Sequence, residues 1–232
     1  DPCRSRGLGD VYKRQDIGIS LDGDADRLIM ADEVGNTMDG DQCLAVIADQ
    51  MQGAGELARQ TVVGTLMTNH GLAGWLDGKG MTLERTRVGD RYILERMREA
   101  GFNLGGEPSG HILMTDHGTS GDGLMAALRM LAALKVSGNK ASEALRRFTA
   151  FPQCIINISC EDHSIISAAL DHKALTDAVS EAEASLGNDG RVVIRPSGTE
   201  PLIRVMVEAR DQAAMDKTAR SIAGVVEGLV SA

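Results

Sequence analysis

Across its 232 residues the chain has no run near the ~18 consecutive apolar residues of a membrane span. Nor does any stretch show the basic-then-apolar layout of a signal peptide. No membrane partner and a cytoplasmic location follow as the default expectation. Excess positive charge is missing too, because 24 Lys and Arg face 33 Asp and Glu and leave a net charge of −9. Such a chain is a poor match for nucleic acid, and any anionic ligand must be held by basic groups gathered locally. The four cysteines, Cys3, Cys43, Cys154 and Cys160, have neither metal-ligand spacing nor the density of a disulfide scaffold, and read as reduced thiols. Internal repeats and low-complexity tracts are absent. What is present is a globular balance, 43% apolar and 25% charged, with room for one or two domains.

Against that background the stretch Leu21-Asp22-Gly23-Asp24-Ala25-Asp26-Arg27 stands out. Alternate residues of an extended chain point to one side, so its three carboxylates would crowd together unless a cation sat among them. A hard divalent ion with oxygen ligands, Mg²⁺ or Ca²⁺, suits them. The spacing also touches the calcium EF-hand, since Asp22, Asp24, Asp26 and Glu33 fall on its first, third, fifth and twelfth loop positions. The hand needs Gly at the sixth, where this chain has Arg27, and the flanking Ile17–Leu21 and Leu28–Met30 read as strands, not helices. A solvated acidic turn is the plain alternative. Arg27 argues against it, because a guanidinium beside a metal loop can meet phosphate oxygens bidentately. Metal and arginine together suggest phosphoryl chemistry.

Residues 1–15 show no strand or helix period and carry four bases against two acids. They read as foreign to the fold, resembling translated adapter or vector sequence, with a disordered native tail as the alternative. From Asp16 the pattern runs strand, acidic loop, strand. Asp39 or Asp41 can cap a helix with Leu44, Ile47, Ala48 and Met51 on its stripe. Strands are expected over 61–67, 81–87, 102–105 and 111–114, and helices over 69–76 and 91–100. A further helix, capped by Asp122, has Leu124, Leu128, Leu131 and Leu134 as its expected apolar stripe. This alternation points to an α/β layer domain with a largely parallel or mixed sheet. A second unit begins near Phe151-Pro152, with strands over 153–160, 191–195 and 202–209 and helices over 171–186 and 212–230. It reads as a small α+β sheet with helices on one face.

Three more loops carry chemistry. Arg195-Pro196-Ser197-Gly198-Thr199-Glu200-Pro201 could be a helix capping box through Ser197 and Glu200, yet the residues after Pro201 alternate as a strand. Two hydroxyls around a Gly, with Arg195 before and Arg204 after, make a phosphate cradle. Gly105-Gly106-Glu107-Pro108-Ser109-Gly110-His111 offers Glu107 and Ser109 to sugar hydroxyls and His111 as a proton shuttle, against the reading of a Gly-Pro turn with an incidental His. In Val88-Gly89-Asp90-Arg91, helix capping accounts for Asp90. Arg91 opposes the helix dipole and so favours an anionic ligand nearby. His70, His117, His163 and His172 show no partner pattern.

In that order and in those contexts, DGDADR, VGDRY, GGEPSGH and RPSGTEPLIRVMVE resemble the α-D-phosphohexomutase family from about Asp16 to the C-terminus. The resemblance implies Mg²⁺ held by Asp22, Asp24 and Asp26, with Arg27 in support. It implies sugar contacts from Glu107 and Ser109 and a phosphate-binding loop of Arg195, Ser197, Gly198 and Thr199. The implied reaction passes a phosphoryl group from an enzyme phosphoserine to a hexosamine or hexose phosphate, reorients the bisphosphorylated sugar, and takes the other phosphoryl back. The implied domains are the tail of a metal-binding second domain (16–37), an α/β/α sandwich (38–150) and a sheet with helices resembling the TATA-binding protein (151–232). Pro108 stands where Gln is often found in the sugar loop. No Ser in the chain is followed by His, so the family's nucleophile domain is expected to be missing. These residues alone are then expected to be inactive, with a non-catalytic phosphosugar binder as the alternative reading. Oligomeric state is not legible.

Overall fold

The computed structural model describes residues 15–160, 162–197 and 200–231. Three consecutive antiparallel strands come first: β1 (Ile17–Leu21), β2 (Leu28–Asp32) and β3 (Thr37–Met38). The turn from β2 to β3 is built by Asp32, whose Oδ1 accepts from the N–H of Val34 at 3.1 Å and of Asn36 at 2.8 Å. Asp39 then caps α1 (Gly40–Ala54) by accepting from the Gln42 N–H at 3.0 Å. Asp41, the other capping candidate, is instead buried, and its carboxylate accepts from the Asn69 N–H at 2.8 Å.

β4 (Thr61–Thr65), α2 (His70–Gly78), β5 (Thr82–Thr86), α3 (Asp90–Ala100), β6 (Leu104–Gly106) and β7 (Ile112–Met114) follow, then α4 (Gly123–Ser137) and the short α5 (Ala141–Ala144). The sheet order is β5-β4-β6-β7, with β5, β4 and β6 parallel and β7 antiparallel to β6. Every residue of β4, Thr-Val-Val-Gly-Thr, is buried, as a strand covered on both faces requires. Val62, Leu104, Ile112 and Met114 join α1, α2 and α4 in the main core. Val63 and Leu113 turn the other way and meet Ile93 and Met97 of α3. The result is the α/β/α layering that the family resemblance implies.

One helix face differs from expectation. In α4 the buried residues are Gly123, Ala126, Ala127, Met130 and Ala133, whereas Leu124 and Leu128 are 58% and 53% exposed. Hydrophobicity ranks the leucines first, but α4 meets the acidic-loop strands along the face of Ala126, Ala127, Met130 and Ala133, and its first residue approaches the loop too closely for any side chain. A Cβ on Gly123 would stand 2.8 Å from the Leu21 side chain and 3.0 Å from the Ala25 carbonyl.

A separate compact unit starts at Ala150. It comprises β8 (Gln153–Ser159), α6 (His163–Leu170), α7 (Lys173–Leu186), β9 (Gly190–Pro196), β10 (Leu202–Ala209) and α8 (Gln212–Val230). The strands are antiparallel in the order β8-β10-β9. Ile158, Val192, Ile203, Val205 and Val207 face the helices and pack with Leu175, Met215, Ala219, Ile222 and Val226. Helix α6 was not legible: Ile165 and Ile166 are weak helix formers, and what holds α6 is the burial of Ile166 and Ala169 together with an Asp162 cap. Consequently α7 begins at Lys173 rather than Asp171, with the His172 ring accepting from the Ala174 N–H. Among the described residues no helix is long and apolar enough to cross a membrane. Cys43, Cys154 and Cys160 are free thiols, while Cys3 lies outside the described residues.

Candidate functional site

The acidic loop is a tight bend between β1 and β2. Ala25 donates its N–H to the Asp22 carbonyl at 3.3 Å and takes a left-handed φ of 61°. Carboxylate oxygens of Asp22, Asp24 and Asp26 thereby come within 4.8 Å of one another. Arg27 closes the loop. Its N–H donates to Asp22 Oδ1 at 3.2 Å, and its Nε lies 3.8 Å from Asp22 and 4.0 Å from Asp26. Desolvation disfavours charge on both outer aspartates; the Arg27 N–H nevertheless holds Asp22 below the usual carboxylate range, whereas desolvation and the Asp22 carboxylate push Asp26 above it. Asp26 Oδ1 is buried with no hydrogen-bond partner among the described residues. Crowded carboxylates with an unserved inward oxygen fit a hard cation with oxygen ligands. They do not form an EF-hand: strands flank the loop, and Glu33 is engaged by the hydroxyl and N–H of Ser142.

The Gly105–His111 loop is the β6–β7 hairpin. Glu107 donates its N–H to the His111 carbonyl and Gly110 to the Glu107 carbonyl, each at 3.0 Å. Two glycines let this hairpin sit against its neighbours. Gly110 has φ +93°, and a Cβ there would be 2.1 Å from the Leu28 carbonyl oxygen; a Cβ on Gly40 would be 1.9 Å from the Glu107 carbonyl oxygen. In their place stand backbone hydrogen bonds, Leu28 N–H to Gly110 O and Gly40 N–H to Pro108 O, both 3.0 Å. This seating brings His111, which is buried, to the acidic loop, with Nδ1 3.7 Å from Asp26 Oδ2. Ser109 is exposed at the hairpin tip.

The third loop joins through Glu107, whose Oε1 accepts from the Gly89 N–H at 3.0 Å. Asp90 is not the helix cap. Gly89 holds that position, and Asp90 is the first helical residue, its Oδ2 4.0 Å from His111 Nδ1. The Arg91 side chain is exposed and paired with Glu95 at 2.7 Å, an ordinary i,i+4 ion pair. Three motif loops separated by tens of residues therefore converge within the first unit: Asp22–Arg27, Val88–Asp90 and Gly105–His111.

The fourth loop lies in the second unit. Arg195, in β9, stands directly opposite Arg204 of β10. Burial and the neighbouring Arg204 charge hold Arg195 below the usual guanidinium value. Arg204 reaches Glu200 at 3.5 Å through Nη2, while its buried Nε has no hydrogen-bond partner among the described residues. Ser197 is buried and its N–H donates to the Leu202 carbonyl at 2.9 Å. Gly198 and Thr199 lie outside the described residues. Two facing guanidiniums, of which Arg204 alone meets a carboxylate among the described residues, leave positive charge for an anion to neutralise.

The phosphoglucomutase/phosphomannomutase α/β/α domain III model matches residues 39–151, and the C-terminal domain model matches residues 155–225. The chain belongs to this family of phosphohexomutases. It is 53% identical over 198 residues to the phosphoglucosamine mutase of Novosphingobium aromaticivorans, which is 85% of this chain and 44% of the relative. Among solved structures, a phosphoglucomutase/phosphomannomutase family protein from Burkholderia thailandensis superposes with a TM-score of 0.78 at 24% identity, over 99% of this chain and 50% of that one. The Aspergillus fumigatus N-acetylphosphoglucosamine mutase, solved in complex with GlcNAc-6P and magnesium, gives a TM-score of 0.73 at 23% identity, over 91% of this chain and 48% of its own. Both are likenesses of fold. The chain spans about half the length of the relatives it matches.

Sequence reasoning missed Asp90 as a neighbour of His111, and Gly40 as the seat of the β6–β7 hairpin. The only sign of the second was a glycine in the first turn of a helix, where a good helix former would ordinarily stand.

Proposed function

We propose that this chain supplies the metal, sugar and phosphate sites of a phosphoglucosamine mutase, which interconverts glucosamine 6-phosphate and glucosamine 1-phosphate. The convergence of the acidic loop with the Glu107 hairpin, through His111 and Asp26, is the observation that carries the reading. Asp22, Asp24 and Asp26 would hold Mg²⁺. When bound, the ion supplies positive charge beside the oxygens of a transferring phosphoryl group. Arg27, whose Nε lies near Asp22 and Asp26, would add a guanidinium to meet those oxygens. Glu107 has one carboxylate oxygen committed to the Gly89 N–H, which fixes the side chain and leaves Oε2 for a sugar hydroxyl. Ser109, exposed at the hairpin tip, offers a donor and an acceptor beside it. His111, between Asp26 and Asp90, is placed to hold a proton at Nδ1. Arg195, Ser197 and Arg204, with Gly198 and Thr199, would take the phosphate that is not reacting. Arg91, paired with Glu95, would reach an anion only by leaving that partner. A cytoplasmic setting goes with an activated-sugar reaction of this kind.

The test is a calorimetric titration of the chain with glucosamine 6-phosphate, glucose 6-phosphate, mannose 6-phosphate and inorganic phosphate. Glu107→Gln keeps the size of the side chain and removes its charge. It is expected to weaken the glucosamine phosphate by about tenfold, one charged hydrogen bond, and to leave inorganic phosphate unchanged. Tighter binding of the glucose or mannose phosphate would overturn the choice of sugar.

A further inference from the structure

The two strands beside the Arg195 loop place a second set of polar groups next to it. Side chains of an antiparallel sheet stand in rows, because directly opposed residues have Cβ atoms about 4.5–5.5 Å apart. In this unit the helix-facing rows hold Ile158, Ile203, Val205, Val207 and Val192. The alternate residues occupy the face without helices. There the register opposes Arg204 to Arg195 on β9 and to Asn157 on β8, and opposes Leu202 to Ser159. The Ser197 N–H bonds to Leu202, so Ser197 and Ser159 flank the same β10 residue. Asn157 and Ser159 are both exposed.

Edge strands are often polar merely to discourage pairing with other chains, and β8 is an edge strand. The polarity of β8 is not uniform, however. One row further from the loop, Ile155 opposes Met206, which opposes Val193, and Ile155 is 45% exposed. At the far end of β8 the Gln153 amide is spent on Glu208, so the neutral groups of β8 left at the loop end are Asn157 and Ser159, in the two rows that also hold Arg195, Arg204 and Ser197. Glu200 is the one carboxylate reaching these arginines among the described residues.

We propose that the anion site extends across β10 to β8, where Asn157 and Ser159 bind a phosphorylated sugar together with Arg195, Arg204 and Ser197. The Asn157 amide would donate to a phosphate oxygen beside Arg204, and the Ser159 hydroxyl would meet a phosphate or sugar oxygen at the loop end. This rests on the phosphate-binding reading of the 195–200 loop and adds to it two contact residues and a direction of approach, from the exposed edge strand at the loop end of the sheet.

Calorimetry on the chain with inorganic phosphate and with glucosamine 6-phosphate tests it. Replacing Asn157 and Ser159 together by Ala should weaken both ligands by about 5- to 20-fold, two neutral hydrogen bonds, with the melting temperature unchanged. In the unaltered chain, the Asn157 side-chain amide resonance should shift on titration with inorganic phosphate, and that shift should vanish in Arg195→Ala. Undiminished affinity in the double variant, or an Asn157 resonance indifferent to phosphate, while Arg195→Ala still loses binding, would overturn the extension and leave the loop reading standing. If Arg195→Ala also bound normally, the loop reading itself would fall.

Discussion

Arg195 combines three properties that rarely meet in a residue serving only the fold. It is partly buried, it faces another arginine across the strand pair, and both effects disfavour its charge. On the proposed reading, an anionic ligand would favour the charged guanidinium that these surroundings disfavour. Arg195→Ala should therefore weaken a hexose phosphate by ~1.5–3 kcal/mol, the scale of a charged hydrogen bond, with little change in melting temperature. Unchanged affinity by calorimetry would remove Arg195 from the site. Glu33 shows the same physics turned to structure. The Ser142 hydroxyl holds its carboxyl below the ordinary value, so its stabilising contribution is complete above the ordinary carboxylate range and is lost as pH falls through the lowered value. Ser142→Ala should then destabilise at neutral pH, with the deficit shrinking as pH falls below the ordinary carboxylate range. A deficit that grew on acidification, followed by urea unfolding at several pH values, would contradict that assignment. Cys43 belongs to the structural group as well: burial, with Asp39 and Asp41 nearby, pushes its thiol up to about 12.

At the scale of elements, α4 shows where pattern reading and packing part. Its leucines form a helical stripe, but proximity to β1 and β2 gives the buried face to Ala126, Ala127, Met130 and Ala133. Met130→Ala should cost ~2–5 kcal/mol, and Leu128→Gln no more than ~0.5 kcal/mol. Urea unfolding that reversed this order would return the leucines to the core. Strands were easier to read. β1, β2 and β10 run where the alternation of Ile, Leu, Val and Met placed them, because a side chain's face in a strand follows from counting by two. Short helices were harder, since α6 exists through what Ile166 and Ala169 bury rather than through local preference.

For the molecule as a whole, the reaction needs a phosphoryl group held on a nucleophile before any positioning residue can act. These 232 residues contain no Ser followed by His. On their own they should not interconvert glucosamine 6-phosphate and glucosamine 1-phosphate, with or without Mg²⁺ and a bisphosphate activator. Mg²⁺ binding should be weak, because carboxylates and water would hold the ion without a phosphoserine oxygen. A coupled assay should register turnover once a domain bearing the serine is supplied. Turnover by these residues alone, abolished by Asp24→Ala, would place the nucleophile among them.

The sequence by itself determined the chemistry of each loop: alternating carboxylates, a Glu-Ser-His hairpin and arginines around Ser-Gly-Thr are local patterns, legible wherever they fall. It also determined the strand faces and most helices, which follow from periodicity. Only the tertiary structure decided which loops meet. His111 reaches Asp26 because Gly110 and Gly40 allow two backbones within hydrogen-bonding distance, and Asp90 reaches His111 because Glu107 holds Gly89. Contacts between residues far apart in the chain depend on packing distances of a few tenths of an ångström, and periodicity carries no information about those.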